Sequence, residues 1–343
     1  MKNINQKIVY IIMTFCVIII SIMLWQCYIP VAFKGPKKVV TIPKGSTPAQ
    51  IGDQLEQSGL IRSSQIFYGY IRLVGLKKPL RAGSFLLSPT QSIPQLIQSL
   101  QTNNGRHHLV RITVPEDYNI WEIAKRLAKK GIADYETITH YWHETAKAEF
   151  ENEFPFLKAV PVSTLEGYLY PETYYIPKEK GLETLTRLML TEFQNRIIPL
   201  WDSDPAVKRS PKARFNRHQV LTIASLIQKE ARLKSEMTLI SAVFYNRLQK
   251  RMQLAADPTV VYAMGKSYKD KVYYKDTKID SPYNTYKYTG FMPSPISCVS
   301  ETAFKASLTP KKVSYLFFVA NKDGSHTFTN TYREHLYTQT QSR

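Results

Sequence analysis

The sequence predicts an α+β protein: an N-terminal apolar transmembrane helix, a small β-α module, and a larger α+β domain that carries the chemistry. Three observations predict it. An uncharged apolar run opens the chain, a strand-turn-helix pattern occurs twice, and the later segments read as short strands among separate helices. The 343 residues are 43% hydrophobic and 12% aromatic, ample for a packed core and suited to about two domains. Charged residues make up 21%, which argues against wholesale disorder.

The apolar run, Ile8 to Trp25, reads IVYIIMTFCVIIISIMLW, with Lys2 and Lys7 before it and Lys34, Lys37 and Lys38 after it. About twenty apolar residues cross a bilayer as a helix, and Trp25 and Tyr28 suit its interface. We therefore expect residues 1–7 to be a cytoplasmic stub and 8–33 a membrane span. A cleaved signal peptide is the rival reading; the length of the run and the lack of a small-x-small site oppose it. Lysines at both ends leave the orientation open. Cys16 and Cys27 lie in or beside this run, so Cys298 is the lone thiol of the remainder. One cysteine builds neither a disulfide framework nor a zinc site.

The repeat follows. Val40-Thr41-Ile42-Pro43 precedes Ile51, Leu55, Gly59 and Leu60; Ile112-Thr113-Val114-Pro115 precedes Ile123, Leu127, Gly131 and Ile132, every pair offset by 72. Each copy reads as a strand, a Pro-bounded turn and an amphipathic helix closed by glycine. Such a unit resembles the LysM-like modules that accompany some wall enzymes. Between the copies, Ile66 to Val74 and Ile93 to Leu100 read as helices and Ala82 to Leu87 as a strand. Thr102 to Arg106 is polar with a glycine and is the expected hinge. The expected division is an accessory module over 34–106 and a catalytic domain over 107–340. Asp202 to Arg214, with Pro205 and Pro211, reads as a loop.

His218 to Leu233 reads as a helix with Val220, Ile223, Ala224, Ile227 and Ala231 on one stripe. Glu230 projects at the edge of that stripe, with Ser225, Lys229 and Arg232 on the other side. A carboxyl beside apolar neighbours keeps its proton to higher pH, the property a general acid needs. An ordinary amphipathic helix with a boundary glutamate fits the same pattern. Other chemistries find little support. His140, His143 and Glu144 share a helix but not the H-E-x-x-H order, and G-x-S-x-G, P-loop and G-x-G-x-x-G patterns are absent. The net charge of +19 suits an acidic partner or a solvated Lys-rich surface. Basic runs interleaved with aromatics are missing, which argues against nucleic acid.

Ala224-Ser225-Leu226-Ile227-Gln228-Lys229-Glu230-Ala231 resembles the ASIVEKE-type signature of the MltG (YceG-like) endolytic murein transglycosylases. The likeness continues through Phe244-Tyr245-Asn246-Arg247-Leu248, Leu254 to Val260 (L-x-x-D-P-T-V) and Ser281 to Tyr286 (YNTY). It closes on Tyr315 to Ala320 with His326-Thr327-Phe328. Upstream, Leu165-Glu166-Gly167-Tyr168-Leu169-Tyr170-Pro171-Glu172-Thr173-Tyr174 is similar to the family's LEG-Y-L-x-P-x-T-Y. Departures are Gln228 for an acidic residue, Asp117 for a glycine, the Gly290–Ile296 loop, and Cys298-Val299-Ser300 for N-P-G.

The resemblance implies a lyase without cofactor or metal, acting on peptidoglycan glycan strands at the inner membrane, with its catalytic domain on the periplasmic side and the wall synthases as neighbours. Glu230 is the expected catalytic acid and base. Asn246, Tyr283, Asn284 and Tyr286 are candidates for stacking on sugars and bonding N-acetyl groups, and each of them also has a plain structural reading. Asp257 is a further substrate candidate, although Asp257-Pro258-Thr259 also reads as the cap of the next helix. Glu166 and Glu172 are candidate cleft carboxylates or loop braces. The alternative function is a catalytically silent peptidoglycan-binding scaffold.

Overall fold

The computed structural model describes residues 13–15, 17, 18, 21–35, 37–102, 109–177, 181–203, 215–265 and 272–341. Residues 1–12, Cys16, Ile19 and Ile20 of the expected stub and span, residues 103–106 of the expected hinge and residues 204–214 of the expected loop lie outside them. Residues 21–25 of the apolar run and the three residues after it are helical. Among the described residues, no helix is long and apolar enough to cross a membrane.

The chain divides into two compact units, Met1–Ile112 with Tyr174–Glu179, and Thr113–Thr173 with Lys180–Arg343. In the first, β1 (Lys38–Ile42) pairs antiparallel with β2 (Gly83–Leu87), Val40 opposite Phe85. Helices α1 (Pro48–Gln57), α2 (Ser64–Val74) and α3 (Ile93–Gln101) complete a core that includes Ile42, Leu55, Phe67, Phe85 and Leu96. β3 (Leu109–Thr113) pairs with β4 (Thr173–Pro177) in a second small sheet.

The repeat is physical as well as textual. Helix α1 opens with a capping box between Thr47 and Gln50, and α4 (Ile120–Lys129) opens with one between Asn119 and Glu122, 72 positions on. Each box satisfies helix-end N–H groups that have no partner within the helix. The ends also match. Leu60 N–H donates to Leu55 and Gly59 N–H to Glu56; Ile132 N–H donates to Leu127 and Gly131 N–H to Ala128. Gly59 and Gly131 take φ of 63° and 68°, the left-handed closure that glycine accepts without penalty.

The second unit begins with α4 and continues through α5 (Tyr135–His140), a π-helical turn (Tyr141–Thr145) and α6 (Ala146–Phe150). After α7 (Gly181–Arg196) and α8 (Ile198–Ser203) comes α9 (Arg217–Glu230), packed by α10 (Met237–Gln249), α11 (Asp257–Ala263) and α12 (Glu301–Leu308). The antiparallel hairpin β5 (Phe317–Ala320) and β6 (His326–Thr329) and helix α13 (Tyr332–Gln341) close the chain.

Helix α9 departs from the amphipathic expectation. Every residue from Val220 to Ile227 is buried, so it is a central helix and not a surface one. Ser225, expected on the outer face, accepts from Ile296 N–H at 3.1 Å and donates to the Thr222 carbonyl. Lys229, expected there too, is buried with its Nζ 3.5 Å from the Glu122 carboxylate. Both polar residues are carried inward by specific partners, which one-helix periodicity cannot reveal. The helix also stops at Glu230, with Ala231 already extended at ψ 117°.

Two departures and one match in the motif set have backbone reasons. Asp117 takes a φ of 73°, so the family's glycine there serves a left-handed turn that aspartate tolerates better than most residues. Gly167 takes φ +81°, and a Cβ on it would meet the Pro295 Cβ at 2.3 Å. Ser300, in place of a glycine, N-caps α12 by accepting from Ala303 N–H.

Candidate active site

Glu230, the last residue of α9, opens into a cleft of about 580 Å³ within the second unit. One wall holds Leu254 and Ala255, from the loop that leads into α11, and Asp257, the first residue of that helix. Tyr286 and Arg247 flank the acid, and the hairpin supplies Phe317, Phe318 and His326. The face of α13 that carries Tyr332 and His335 completes it. Ala255 takes a φ of 44°, a strained conformation of the kind that concentrates at functional sites. Its N–H donates to the Thr285 carbonyl at 3.0 Å, which ties the cleft wall to the YNTY loop.

The cleft holds Glu230 in its acid form. Burial, reinforced by the Asp257 charge, pushes its carboxyl up from 4.5 to about 8, while the Arg247 guanidinium pulls the other way. Its place at the C-terminus of α9, the negative end of the helix dipole, acts in the same direction as burial. At pH 7 a carboxyl with that value carries its proton in roughly ten molecules for each one ionised. Among the described residues no side chain bonds this carboxyl, so it remains available to a ligand.

Arg247 is held rather than free. Its Nε donates to the Leu316 carbonyl and its Nη1 to the Leu254 carbonyl, both at 2.6 Å, and its guanidinium lies 5.1 Å from the Phe317 ring centre. The same side chain therefore positions charge beside Glu230 and ties both cleft walls together. His326 is fixed through Glu236, whose carboxylate takes the His326 N–H at 3.0 Å and its Nδ1 at 2.8 Å. Asp257 accepts the Tyr286 hydroxyl at 2.7 Å.

Of the residues singled out from the sequence, Glu230, Asp257 and Tyr286 meet in this cleft. Asp257 is the first residue of α11 and not its cap; the N-cap position is Ala256, without a side-chain bond. Asn246 donates its amide to the carbonyls of Val313 and Tyr315, both at 2.9 Å, and so holds the strand leading into β5. Asn284 is fully buried, donates to the Thr277 and Ile279 carbonyls, and accepts from Tyr286 N–H. Both asparagines brace loops beside the cleft, the structural one of the two readings their sequence allowed, and neither is among the residues that line it.

The remaining three candidates also lie elsewhere. Tyr283 belongs to a second cavity, packed on Tyr262 with its hydroxyl 2.7 Å from Ser294. Glu166 is buried, accepts from Ile120 N–H at 3.0 Å and from the Tyr262 hydroxyl at 3.2 Å, and burial pushes it to about 8. It is a loop brace that has the raised proton affinity of an acid without a place in the Glu230 cleft. Glu172 is exposed and bonds its neighbour Thr173 N–H. Gln228 is not among the cleft-lining residues and accepts from the Ser300 N–H and hydroxyl, at 3.1 and 2.7 Å.

Arg247, Phe317, Phe318 and His335 join the cleft although their sequence context gave them no site role, and His326 joins it from a predicted strand. Arg247 sits next to Asn246 within the motif, and its signal was a cation in an otherwise apolar, aromatic stretch. Phe317, Phe318 and His326 fall in the closing motif segments, where nothing in their type or spacing marks them as cleft residues.

The sequence matches the profile of the YceG-like family over residues 40–341. It is 36% identical over 305 residues to an endolytic murein transglycosylase of Bacillus subtilis (strain 168), covering 86% of this chain and 82% of that protein. It is 32% identical over 324 residues to an endolytic murein transglycosylase of Streptococcus pneumoniae serotype 2 (strain D39), covering 87% of this chain and 57% of the longer relative. A crystal structure of a YceG-like protein from Listeria monocytogenes aligns with a TM-score of 0.59 at 33% identity, over 89% of this chain and all of that one.

Proposed function

This chain belongs to the YceG-like family, and on that premise we propose that it is an endolytic peptidoglycan lytic transglycosylase with Glu230 as its acid and base. The observation that carries the reading is a carboxyl lining a cleft of about 580 Å³ in surroundings that favour its acid form, with a cation beside it and a second carboxylate already engaged by Tyr286.

An ordinary glycosidase uses two carboxyl groups, one for the leaving oxygen and one for water or the anomeric carbon. Here the nucleophile is tethered to the substrate. Glu230 donates its proton to the glycosidic oxygen between N-acetylmuramic acid and N-acetylglucosamine, and that C–O bond breaks. The C6 hydroxyl of the muramic residue then bonds to C1 as the Glu230 carboxylate takes its proton, which leaves a 1,6-anhydro end and restores the acid. Tethering supplies much of the rate because the attacking group loses little further freedom. Burial and Asp257 favour the acid form before cleavage; Arg247 favours the carboxylate formed after it. Phe317, Tyr286 and Tyr332 offer flat faces for sugar rings along the cleft.

The run Ile8–Trp25, uncharged between flanking lysines, supports a single span in the inner membrane, with the remainder extracytoplasmic. The unit built on β1 and β2 acts as a LysM-like accessory module, and cleavage inside strands made by neighbouring synthases limits their length. The test is mass spectrometry of products released from peptidoglycan by the purified chain. Anhydro ends are expected; free reducing ends would make it a hydrolase, and no product would make it a scaffold.

A further inference from the structure

A second cleft in the same unit has no part in the chemistry above. It measures about 500 Å³, within the range of small-ligand sites, and aromatic rings line it. Trp121 packs on Tyr262 with ring centres 4.6 Å apart, and Tyr262 on Tyr283 at 4.8 Å. Trp121 and Tyr283 are half-buried, so each presents surface to the cleft. Polar groups stand around these rings. His143 is held by Thr164 through Nδ1 at 2.9 Å, and its Nε2 has no partner among the described residues. Glu144 and Ser281 lie on the rim.

His143 and Glu144 sit on the π-helical turn that interrupts the helix from Tyr135 to Phe150. Such turns cost regular hydrogen bonding and recur at functional sites, because they swing side chains out of the α-helical register. Here the turn brings both residues to the cleft wall. Flat apolar faces with a few hydrogen-bonding groups at their edges suit a pyranose ring, whose faces are apolar and whose rim is polar.

The two clefts are tied by the same elements. Asp257, at the start of α11, lines the catalytic cleft, and Tyr262 and Ala263, at its end, line the second. Seven helical residues span roughly 10 Å at 1.5 Å each, about the length of a disaccharide. The YNTY loop repeats the pattern, with Tyr286 in the first cleft and Tyr283 in the second.

Resting on the transglycosylase reading, we propose that the second cleft is a distal sugar subsite, which stacks an N-acetylhexosamine ring of the same glycan strand on Trp121 and Tyr283. It holds the strand beyond the scissile bond and makes long strands better substrates than short ones.

The test compares the full chain with Trp121→Ala on glycan strands stripped of stem peptides. KM for long strands should rise about tenfold, the loss of one large aromatic contact, with kcat little changed and short fragments cleaved as before. Ala263→Trp, at the half-buried rim, obstructs the cleft without removing a buried side chain and should act alike; it decides the matter if Trp121→Ala does not fold. Unchanged KM and length dependence, while the parent chain still makes anhydro ends, would overturn the subsite and leave the function standing. If the parent chain makes no anhydro ends, binding of N-acetylglucosamine oligomers to the Glu230→Gln chain decides separately. Loss of that binding with Trp121→Ala upholds the subsite, and equal binding overturns it. An effect seen solely with strands that carry stem peptides would overturn the carbohydrate assignment.

Discussion

Asp257→Asn tests the electrostatics of the acid without dismantling the cleft. The asparagine carbonyl can still accept the Tyr286 hydroxyl that Asp257 takes at 2.7 Å, so the loop keeps its tie. What disappears is a negative charge that helps to raise Glu230 to about 8. Two unit charges one Debye length apart, about 8 Å at physiological ionic strength, interact by about 2 kcal/mol at an effective dielectric of about 20. Asp257 is exposed, and screening reduces that figure. Since 1.36 kcal/mol is about one pKa unit, the expected fall is roughly half to one unit. The sign follows from the mechanism. Free enzyme must hold the proton, so kcat/KM falls as pH rises through the Glu230 value. The alkaline limb, expected near pH 8 in the parent chain, should move towards neutrality in Asp257→Asn. The assay is kcat/KM for release of anhydro-ended fragments across pH 5–10. A limb that stays in place, or moves up, would refute the assignment of that limb to Glu230 with Asp257 as its neighbour.

Further outcomes follow from the same contacts. Lys229→Ala leaves Glu122 without its buried partner and should cost roughly 3 kcal/mol, lowering the thermal midpoint by about 6–12 °C; an unchanged midpoint would return Lys229 to the solvent face expected from periodicity. Gln228→Glu keeps an oxygen that accepts from the Ser300 N–H and hydroxyl, so cleavage should stay within a few-fold in a steady-state assay. Gly167→Ala forces a Cβ against Pro295 at a left-handed φ and should cost on the order of 3 kcal/mol or more, read from denaturant unfolding.

The repeat was legible because it is local. Its capping boxes, helix stripes and closing glycines are set by residues three to five apart, and they recur 72 positions on. Glu230 was legible through its motif and its apolar neighbours. The cleft around it was not. Arg247 acts through carbonyls of Leu254 and Leu316, and the second of these lies 69 residues away. Tyr283 and Tyr286, three positions apart in one motif, serve different cavities because the loop between them turns about buried Asn284. Periodicity misplaced Lys229 and Ser225 because it scores a side chain by type, and their burial rests on partners from distant segments. Glu166 shows the converse risk. It shares Glu230's raised proton affinity, and the hydrogen bonds from Ile120 and Tyr262 mark it as a brace.

The central claim is that one glutamic acid runs both halves of the cleavage. Glu230→Gln keeps the size of a half-buried side chain and removes no described hydrogen bond, so the chain should fold with an unchanged thermal midpoint. Mass spectrometry of glycan digests, with time courses for both proteins, should show anhydro-ended fragments from the parent chain. The same fragments should appear at least about 10²–10⁴-fold more slowly from Glu230→Gln. Anhydro ends released by the folded Glu230→Gln chain at the parent rate would contradict the account and move the search for the acid elsewhere in the cleft.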